Sequence, residues 1–199
     1  MTLTFKEFIK QFDKEDAIVL LEGKRKVPVA EREKLSALGK LLMQNTEKMI
    51  FRSGNAGGSD QLFFEGAASI DHTRLQVIVP YPTHRKKTNT AYETISLDDI
   101  ILSAESEVIN QSKLNKKTET LIDKYVSGNK NSVTIKAAYI IRDTVKAIGA
   151  NGIKPATFAI FYDDLNNPSS GGTGHTMNVC NQNNIPVIDQ KVWFKWLEE

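Results

Sequence analysis

The chain has 199 residues, of which 40% are hydrophobic and 25% charged, values typical of one globular domain rather than of a disordered segment. Its formal net charge of +2 is low for a protein that binds nucleic acid without sequence preference, and it favours a small ligand. One cysteine, Cys180, excludes an intrachain disulfide framework. Residues 1–8 do not resemble a signal peptide, and no apolar run approaches the roughly 20 residues that span a bilayer, so we expect a cytoplasmic protein without a membrane partner.

Apolar spacing in the first 80 residues predicts helices that alternate with strands. The predicted elements are, in chain order, a helix with Phe5, Phe8, Ile9 and Phe12 on one face, a strand over 17–21, a helix over 31–43, a strand over 49–51, a helix over 59–68 and a strand over 75–79. Continuous apolar runs such as 17–21 are typical of parallel strands that are buried on both faces.

Residues 83–130 are more polar and less regular than the rest. We expect one short helix near 97–108 and an excursion from the core rather than a second domain, because the segment has few apolar residues to bury. The regular pattern then resumes with a helix over 134–148 that ends at Gly149, a strand over 156–162, a helix over about 174–183, a strand over 186–188 and an apolar tail over 192–197.

This alternation predicts a single α/β domain over 1–199, a three-layer, Rossmann-like parallel sheet flanked by helices. Two glycine-bearing turns, Arg52 to Asp60 and Ser169 to Thr176, each follow a predicted strand and precede a predicted helix. Such turns bring backbone N–H groups against phosphate, and both lie at the carboxyl edge of the sheet, where ligands bind. Neither turn has the Walker or dinucleotide spacing, which excludes standard ATPase and NAD-dehydrogenase sites.

Four segments together resemble the SLOG superfamily, which joins the LOG-type proteins to the DNA-processing protein A family. They are Leu21 to Pro28, the first glycine turn, Ile141 to Gly149, and the Gly-Gly-Thr-Gly run at 171–174. The resemblance covers about 17–188 and implies an SLOG-like nucleotide-binding domain. It implies ligand contacts from Gly23, Lys24, Arg25, Arg52, Ser53, Gly54, Asn55, Ala56, Gly57, Asp60, Gly171, Gly172, Thr173, Gly174, His175 and Thr176. Asp60 is equally well interpreted as a helix cap.

The second turn departs from the LOG motif Pro-Gly-Gly-x-Gly-Thr-x-x-Glu. Ser170, His175 and Asn178 stand at the proline, threonine and glutamate positions. A carboxylate there would stabilise an oxocarbenium-like transition state or activate water, and asparagine does neither well. The catalytic residue of a hydrolase is therefore unknown, although a displaced carboxylate could come from Asp60, Glu65, Asp163 or Asp164.

Other candidates keep two interpretations each. His175 is either a phosphate contact or acid, or a neutral polar residue beside the turn. The run His84 to Lys87 is either a ligand contact or solvated surface, and Tyr81 and Tyr162 either stack on a base or pack in the core. Cys180 fits a small buried hydrophobe.

The sequence thus favours a protein that senses or sequesters a nucleotide or nucleotide-derived signal, such as an ADP-ribose-like or cyclic nucleotide ligand, without efficient hydrolysis. Phage members of such families extend this hypothesis to an anti-defence role. The alternative is a LOG-like phosphoribohydrolase or other N-glycosidic-bond hydrolase. A single-stranded DNA binder is disfavoured by the absence of a basic groove with interleaved aromatic residues. We expect no cofactor, no metal and a homo-oligomer, since SLOG relatives often assemble.

Overall fold

Six buried or half-buried segments form one parallel sheet in the computed structural model, which describes residues 3–199. The strands are β1 Ile18–Gly23, β2 Ile50–Ser53, β3 Leu75–Val79, β4 Glu93–Ser96, β5 Phe158–Tyr162 and β6 Val187–Ile188. Their order across the sheet is β4-β3-β2-β1-β5-β6, and every neighbouring pair is parallel.

Within residues 3–199, eight α-helices precede, connect and follow these strands. They are α1 Phe5–Phe12, α2 Val29–Asn45, α3 Ser59–Ala68, α4 Ser106–Ser112, α5 Lys116–Val126, α6 Ile135–Ile148, α7 Gly171–Gln182 and α8 Gln190–Trp196. Three single-turn 3₁₀ helices lie at Lys86–Thr88, Leu97–Asp99 and Leu102–Ala104. Among residues 3–199, none of the helices is long and apolar enough to cross a bilayer.

The sheet separates two apolar layers because successive strand residues point to opposite faces. In β1, Val19 and Leu21 pack with α1, α2, α3 and α8, whereas Leu20 packs on the opposite face beneath α7. On that opposite face α4, α5 and α6 form a further cluster with Ile78 of β3. The predicted three-layer, Rossmann-like α/β fold is confirmed.

The segment 83–130 packs more extensively than its composition indicates. It supplies β4, which extends the sheet beside β3, and two helices in place of the one expected near 97–108. Its apolar residues are buried in the same cluster as the inner face of α6, namely Leu97, Leu102, Val108, Ile122 and Tyr125. The expectation that this segment has too few apolar residues to bury is wrong, because those residues are scattered singly yet converge on one helix.

The apolar tail packs on its own domain. Trp193 Nε1 donates to the carbonyl of Phe161 at 2.9 Å, and Trp196 Nε1 donates to the carbonyl of Leu3 at 2.9 Å. Both rings are fully buried, Trp193 against Phe63 and Trp196 against aromatic residues of α1. Cys180 lies on α7 and is fully buried, and burial raises the pKa of its thiol to about 12.

We predict that Ile122→Ala will lower the free energy of unfolding by about 3 kcal/mol, because Ile122 has no exposed surface and its truncation leaves a cavity. Ile101→Ala is the matched control in the same segment. Its side chain is 74% exposed, and the change should stay within about 0.5 kcal/mol. Urea denaturation followed by circular dichroism measures both; equal, small effects would show that the segment does not stabilise the core.

Candidate functional site

The direction in which successive strands are added to the sheet reverses at β1, because β2 lies on one side of β1 and β5 on the other. In parallel sheets such a reversal opens a crevice at the carboxyl ends of the two strands. A cavity of about 400 Å³ lies there, walled by the end of β1, the loop after β2, one side of α6 and the start of α7.

The second glycine turn is itself the first turn of α7, which begins at Gly171 rather than near 174. The N–H groups of Gly171, Gly172 and Thr173 have no carbonyl partner within the helix, and the first such bond runs from Gly174 N to the carbonyl of Ser170 at 3.0 Å. Gly171, Gly172 and Thr173 line the cavity. Free N–H groups and the positive end of the helix dipole make this wall suited to an anion.

The first glycine turn has a different role. Asp60 is 2% exposed, and its carboxylate accepts N–H bonds from Gly23 at 3.2 Å and from Gly54 and Ala56 at 3.3 Å each. These N–H groups are therefore occupied by a carboxylate of the chain. The carboxylate of Asp60 ties the turn to the end of β1 and does not cap its own helix.

Buried charges form the floor of the cavity. Lys146 Nζ lies 2.7 Å from a Glu22 oxygen and 2.9 Å from an Asp143 oxygen. Arg142 Nη2 lies 2.6 Å from Asp143, and the Thr176 hydroxyl donates to Glu22 at 3.1 Å. Glu22, Arg142 and Asp143 also line the cavity. The network thus joins β1, α6 and α7 beside the cavity.

The pKa values of the two carboxyls of this network are shifted in opposite directions. Burial raises the pKa of Glu22 to about 7, with Asp143 and Asp60 adding to the shift and Lys146 opposing it. Burial alone would also raise the pKa of Asp143, but Arg142 and Lys146 outweigh it, so that pKa is lowered. Pairs of carboxyls separated in this way are typical of acid–base sites.

The absence of a side chain at Gly54 leaves room for two cations of the network. A Cβ at this position would lie 2.9 Å from both Arg142 Cζ and Lys146 Nζ, and the Gly54 carbonyl accepts a bond from Arg142 Nη1 at 2.9 Å. Two cationic side chains therefore pack directly on the backbone of the first glycine turn.

An aromatic wall comes from α6. Tyr139 lines the cavity, and its hydroxyl lies 3.3 Å from that of Tyr81. The Arg142 guanidinium is 5.4 Å from the ring centre of Tyr139. Tyr162, by contrast, bonds to Glu31 through its hydroxyl and does not line the cavity.

His84 packs edge-on against Tyr81 and Tyr139. Burial lowers its pKa to about 4, and the positive charges of Arg142 and Arg85 act in the same direction. The ring is therefore neutral at pH 7. The rest of the run His84 to Lys87 is half-buried at Arg85 and exposed at the two lysines.

The cavity brings together half of the ligand-binding residues predicted from the sequence. Those that line it are Gly23, Lys24, Arg25, Ala56, Asp60, Gly171, Gly172 and Thr173. Those that do not are Arg52, Ser53, Gly54, Asn55, Gly57, Gly174, His175 and Thr176.

Arg52 and His175, both outside the lining, bond to other parts of the fold. Arg52 is fully buried and contacts Gln76. It also donates to the carbonyls of Lys146 at 3.0 Å and Lys154 at 2.8 Å, so it connects β2 to α6 and to the chain that follows α6. His175 Nε2 lies 3.0 Å from the Thr144 hydroxyl and borders a separate hollow of about 370 Å³. The same hollow, and not the main cavity, contains Asn178.

Of the four carboxylates proposed from the sequence, one lines the cavity and three do not. Asp60 lines the cavity, whereas Glu65 is exposed and accepts a bond from Gln61 at 2.6 Å. Asp163 accepts the N–H of Ser169 at 2.9 Å, and Asp164 lies 3.7 Å from Lys24 Nζ.

Sequence reasoning missed Glu22, Asp143, Lys136 and Tyr139 as cavity residues. A signal for the first two exists: Glu22 is a charged residue within an otherwise apolar strand, and α6 carries buried charges on an apolar face. Unpaired, such charges would be costly to bury, so their presence indicates partners.

A doubly wound parallel sheet with a polar cavity at its switch point defines an α/β, Rossmann-like protein. No protein-family model matches the sequence, and no curated protein shows significant similarity to it. Among solved structures, DNA processing protein A from Helicobacter pylori, described by its single-stranded DNA binding mode, matches 94% of this chain and 69% of its own. The TM-score is 0.52 at 12% sequence identity, which shows a shared fold and supports the fold implied by the SLOG resemblance.

We predict that Lys146→Met will lower the free energy of unfolding by about 3 kcal/mol or more, because it leaves Glu22 and Asp143 buried without their shared cation. Lys154→Met is the matched control, since Lys154 pairs with Asp16 at the exposed surface and its loss should cost less than about 1 kcal/mol. Urea denaturation at neutral pH measures both. Similar losses in the two variants would contradict a structural role for the buried network.

Proposed function

We propose that the protein binds a nucleotide or nucleotide-derived signal in this cavity and holds it without efficient hydrolysis. The observation that carries the proposal is the start of α7, where three N–H groups without helical partners border a cavity of about 400 Å³. That volume lies in the range of small-molecule sites. Lys24, Arg25 and Lys136 on the cavity wall would add positive charge around a phosphate.

The orientation of the ligand follows from the chemistry of the walls. A phosphate at the start of α7 would leave the base to pack against Tyr139 and Ile140, the less polar side. Stacking on an aromatic ring is tolerant of base identity and contributes about 1–3 kcal/mol per base. Tyr139 therefore replaces Tyr81 and Tyr162 as our candidate for base stacking.

Three other assignments remain proposals. The nucleotide would be ADP-ribose-like or cyclic, the protein would form a homo-oligomer, and sequestration or sensing would be its role. The likeness to a protein with a single-stranded DNA binding mode makes DNA a competing ligand. The near-neutral net charge of +2 favours the small molecule.

Isothermal calorimetry with a nucleotide panel tests the proposal. We predict that the wild type binds at least one nucleotide, that Tyr139→Ala weakens its binding about tenfold or more, and that Tyr139→Phe preserves it, because stacking needs the ring and not the hydroxyl. Tyr92→Ala is the control, since Tyr92 is 70% exposed and lies outside the cavity lining. Absence of binding to every nucleotide, with binding to a thymidine oligonucleotide at physiological salt, would favour the DNA ligand instead.

A second candidate function is hydrolysis of an N-glycosidic bond. The observation that favours it is the pair of buried carboxyls on the cavity wall, Glu22 and Asp143, with pKa values shifted in opposite directions. In this reaction Glu22 would accept a proton from water, the water oxygen would bond to C1′, and the C1′–N bond would break. The proton held by Glu22 would then pass to the departing base, leaving ribose 5-phosphate when the substrate is a nucleoside monophosphate.

If this second function holds, we predict release of free base from AMP or NAD that rises with pH through about 7, since Glu22 acts only when deprotonated. Glu22→Gln should abolish release while nucleotide binding survives. Glu65→Gln, which alters an exposed carboxylate, is the control. Chromatography of the reaction mixture detects the base. Bound nucleotide that stays intact in the wild type would leave the protein a binder rather than a hydrolase.

A further inference from the structure

A smaller hollow of about 230 Å³ adjoins the main cavity. Its walls come from the loop after β1, the first turn of α2 and the start of α3. The lining residues are Arg25, Val27, Arg32, Gly58, Gln61 and Leu62. Arg25 lines both this hollow and the main cavity. The two spaces therefore share Arg25 between them.

The arginines of this hollow carry uncompensated charge. Among residues 3–199, no carboxylate lies within 4.0 Å of the guanidinium of Arg25 or Arg32. Arg32 Nε donates to the carbonyl of Val27 at 3.3 Å, which holds the side chain at the hollow and leaves its terminal nitrogens available. Guanidinium groups without a carboxylate partner are suited to bidentate contact with phosphate.

A third arginine borders the same region. Arg85 Nη2 donates to the side-chain oxygen of Gln61 at 2.6 Å, and a Cβ at Gly57 would lie 3.2 Å from Arg85 Nη1. The other end of the Gln61 amide donates to the exposed carboxylate of Glu65 at 2.6 Å. Glu65 thus reaches the arginines only through Gln61, and the hollow keeps an excess of positive charge.

The backbone holds this arrangement in place. Gly58 has φ 89°, and a Cβ there would lie 2.2 Å from the carbonyl oxygen of Arg25, so the start of α3 touches the loop after β1 directly. The Ser59 hydroxyl donates to the carbonyl of Lys24 at 2.6 Å across the same junction. The hollow is therefore formed before any ligand arrives.

We propose that this arginine hollow binds a second phosphate group of the ligand whose first phosphate lies at the start of α7. The ligand class is then a nucleotide with two phosphate groups, such as a dinucleotide or an ADP-ribose-like molecule, rather than a nucleoside monophosphate. The inference rests on the proposed nucleotide binding and narrows it. Arg25, common to both spaces, would contact the part of the ligand that passes between them.

Calorimetry on the full chain tests this with AMP, ADP-ribose and the linear dinucleotide pApA as probes. We expect ADP-ribose or pApA to bind about tenfold or more tightly than AMP, the size of effect that one or two charge-assisted hydrogen bonds produce. Arg32→Gln should remove this advantage and leave AMP binding unchanged, because Arg32 lines only the small hollow. Arg25→Gln should weaken all three ligands. Lys40→Gln, an exposed change on α2, is the control for loss of one positive charge.

The remaining outcomes separate this inference from the function on which it rests. Two results overturn the second phosphate site while nucleotide binding stands. One is equal affinity for AMP, ADP-ribose and pApA; the other is an equal loss of affinity for all three in Arg32→Gln. Failure of all nucleotides to bind overturns both. Tighter binding of a thymidine oligonucleotide than of any nucleotide, lost in Arg32→Gln, assigns the hollow to DNA and also overturns the inference.

Discussion

The ammonium group of Lys146 has no exposure to water, and the arrangement around the cavity depends on keeping it paired. A buried charge without partners costs several kcal/mol, so Glu22 and Asp143 must reach it. That requirement sets α6 against the end of β1, and it leaves no room for a side chain at Gly54. Lys146 thus joins the strand and the helix, and together with Arg142 it packs against the first glycine turn.

The same network explains why two similar glycine turns differ in chemistry. In the first turn, the N–H groups of Gly54 and Ala56 bond to Asp60, and position 54 needs glycine because two cationic side chains pack on its backbone. In the second, the N–H groups at the start of α7 face an open cavity. The wall suited to an anion is therefore the start of α7, while the first turn supports the charged floor beside it.

Sequence patterns predicted most of the fold because buried parallel strands and amphipathic helices leave strong local signals. The helix over 59–68 and the strand over 75–79 have the bounds that the sequence indicated. β4 was missed because Glu93–Ser96 is a half-polar edge strand with no apolar run. Among the residues that line the cavity, Lys24 and Thr173 were predicted as ligand contacts, but Tyr139 and Asp143 were not, since their place on the cavity wall depends on how α6 packs.

The position of the one cysteine gives the protein an internal reporter of motion. Cys180 lies on α7, the helix whose first turn borders the cavity, and its thiol is buried with a pKa raised to about 12. Thiolate, the reactive form, is therefore scarce while α7 stays on the sheet. The rate at which a thiol reagent modifies the native protein would measure how often α7 lifts away from the sheet, and hence how long this wall of the cavity stays in place between openings.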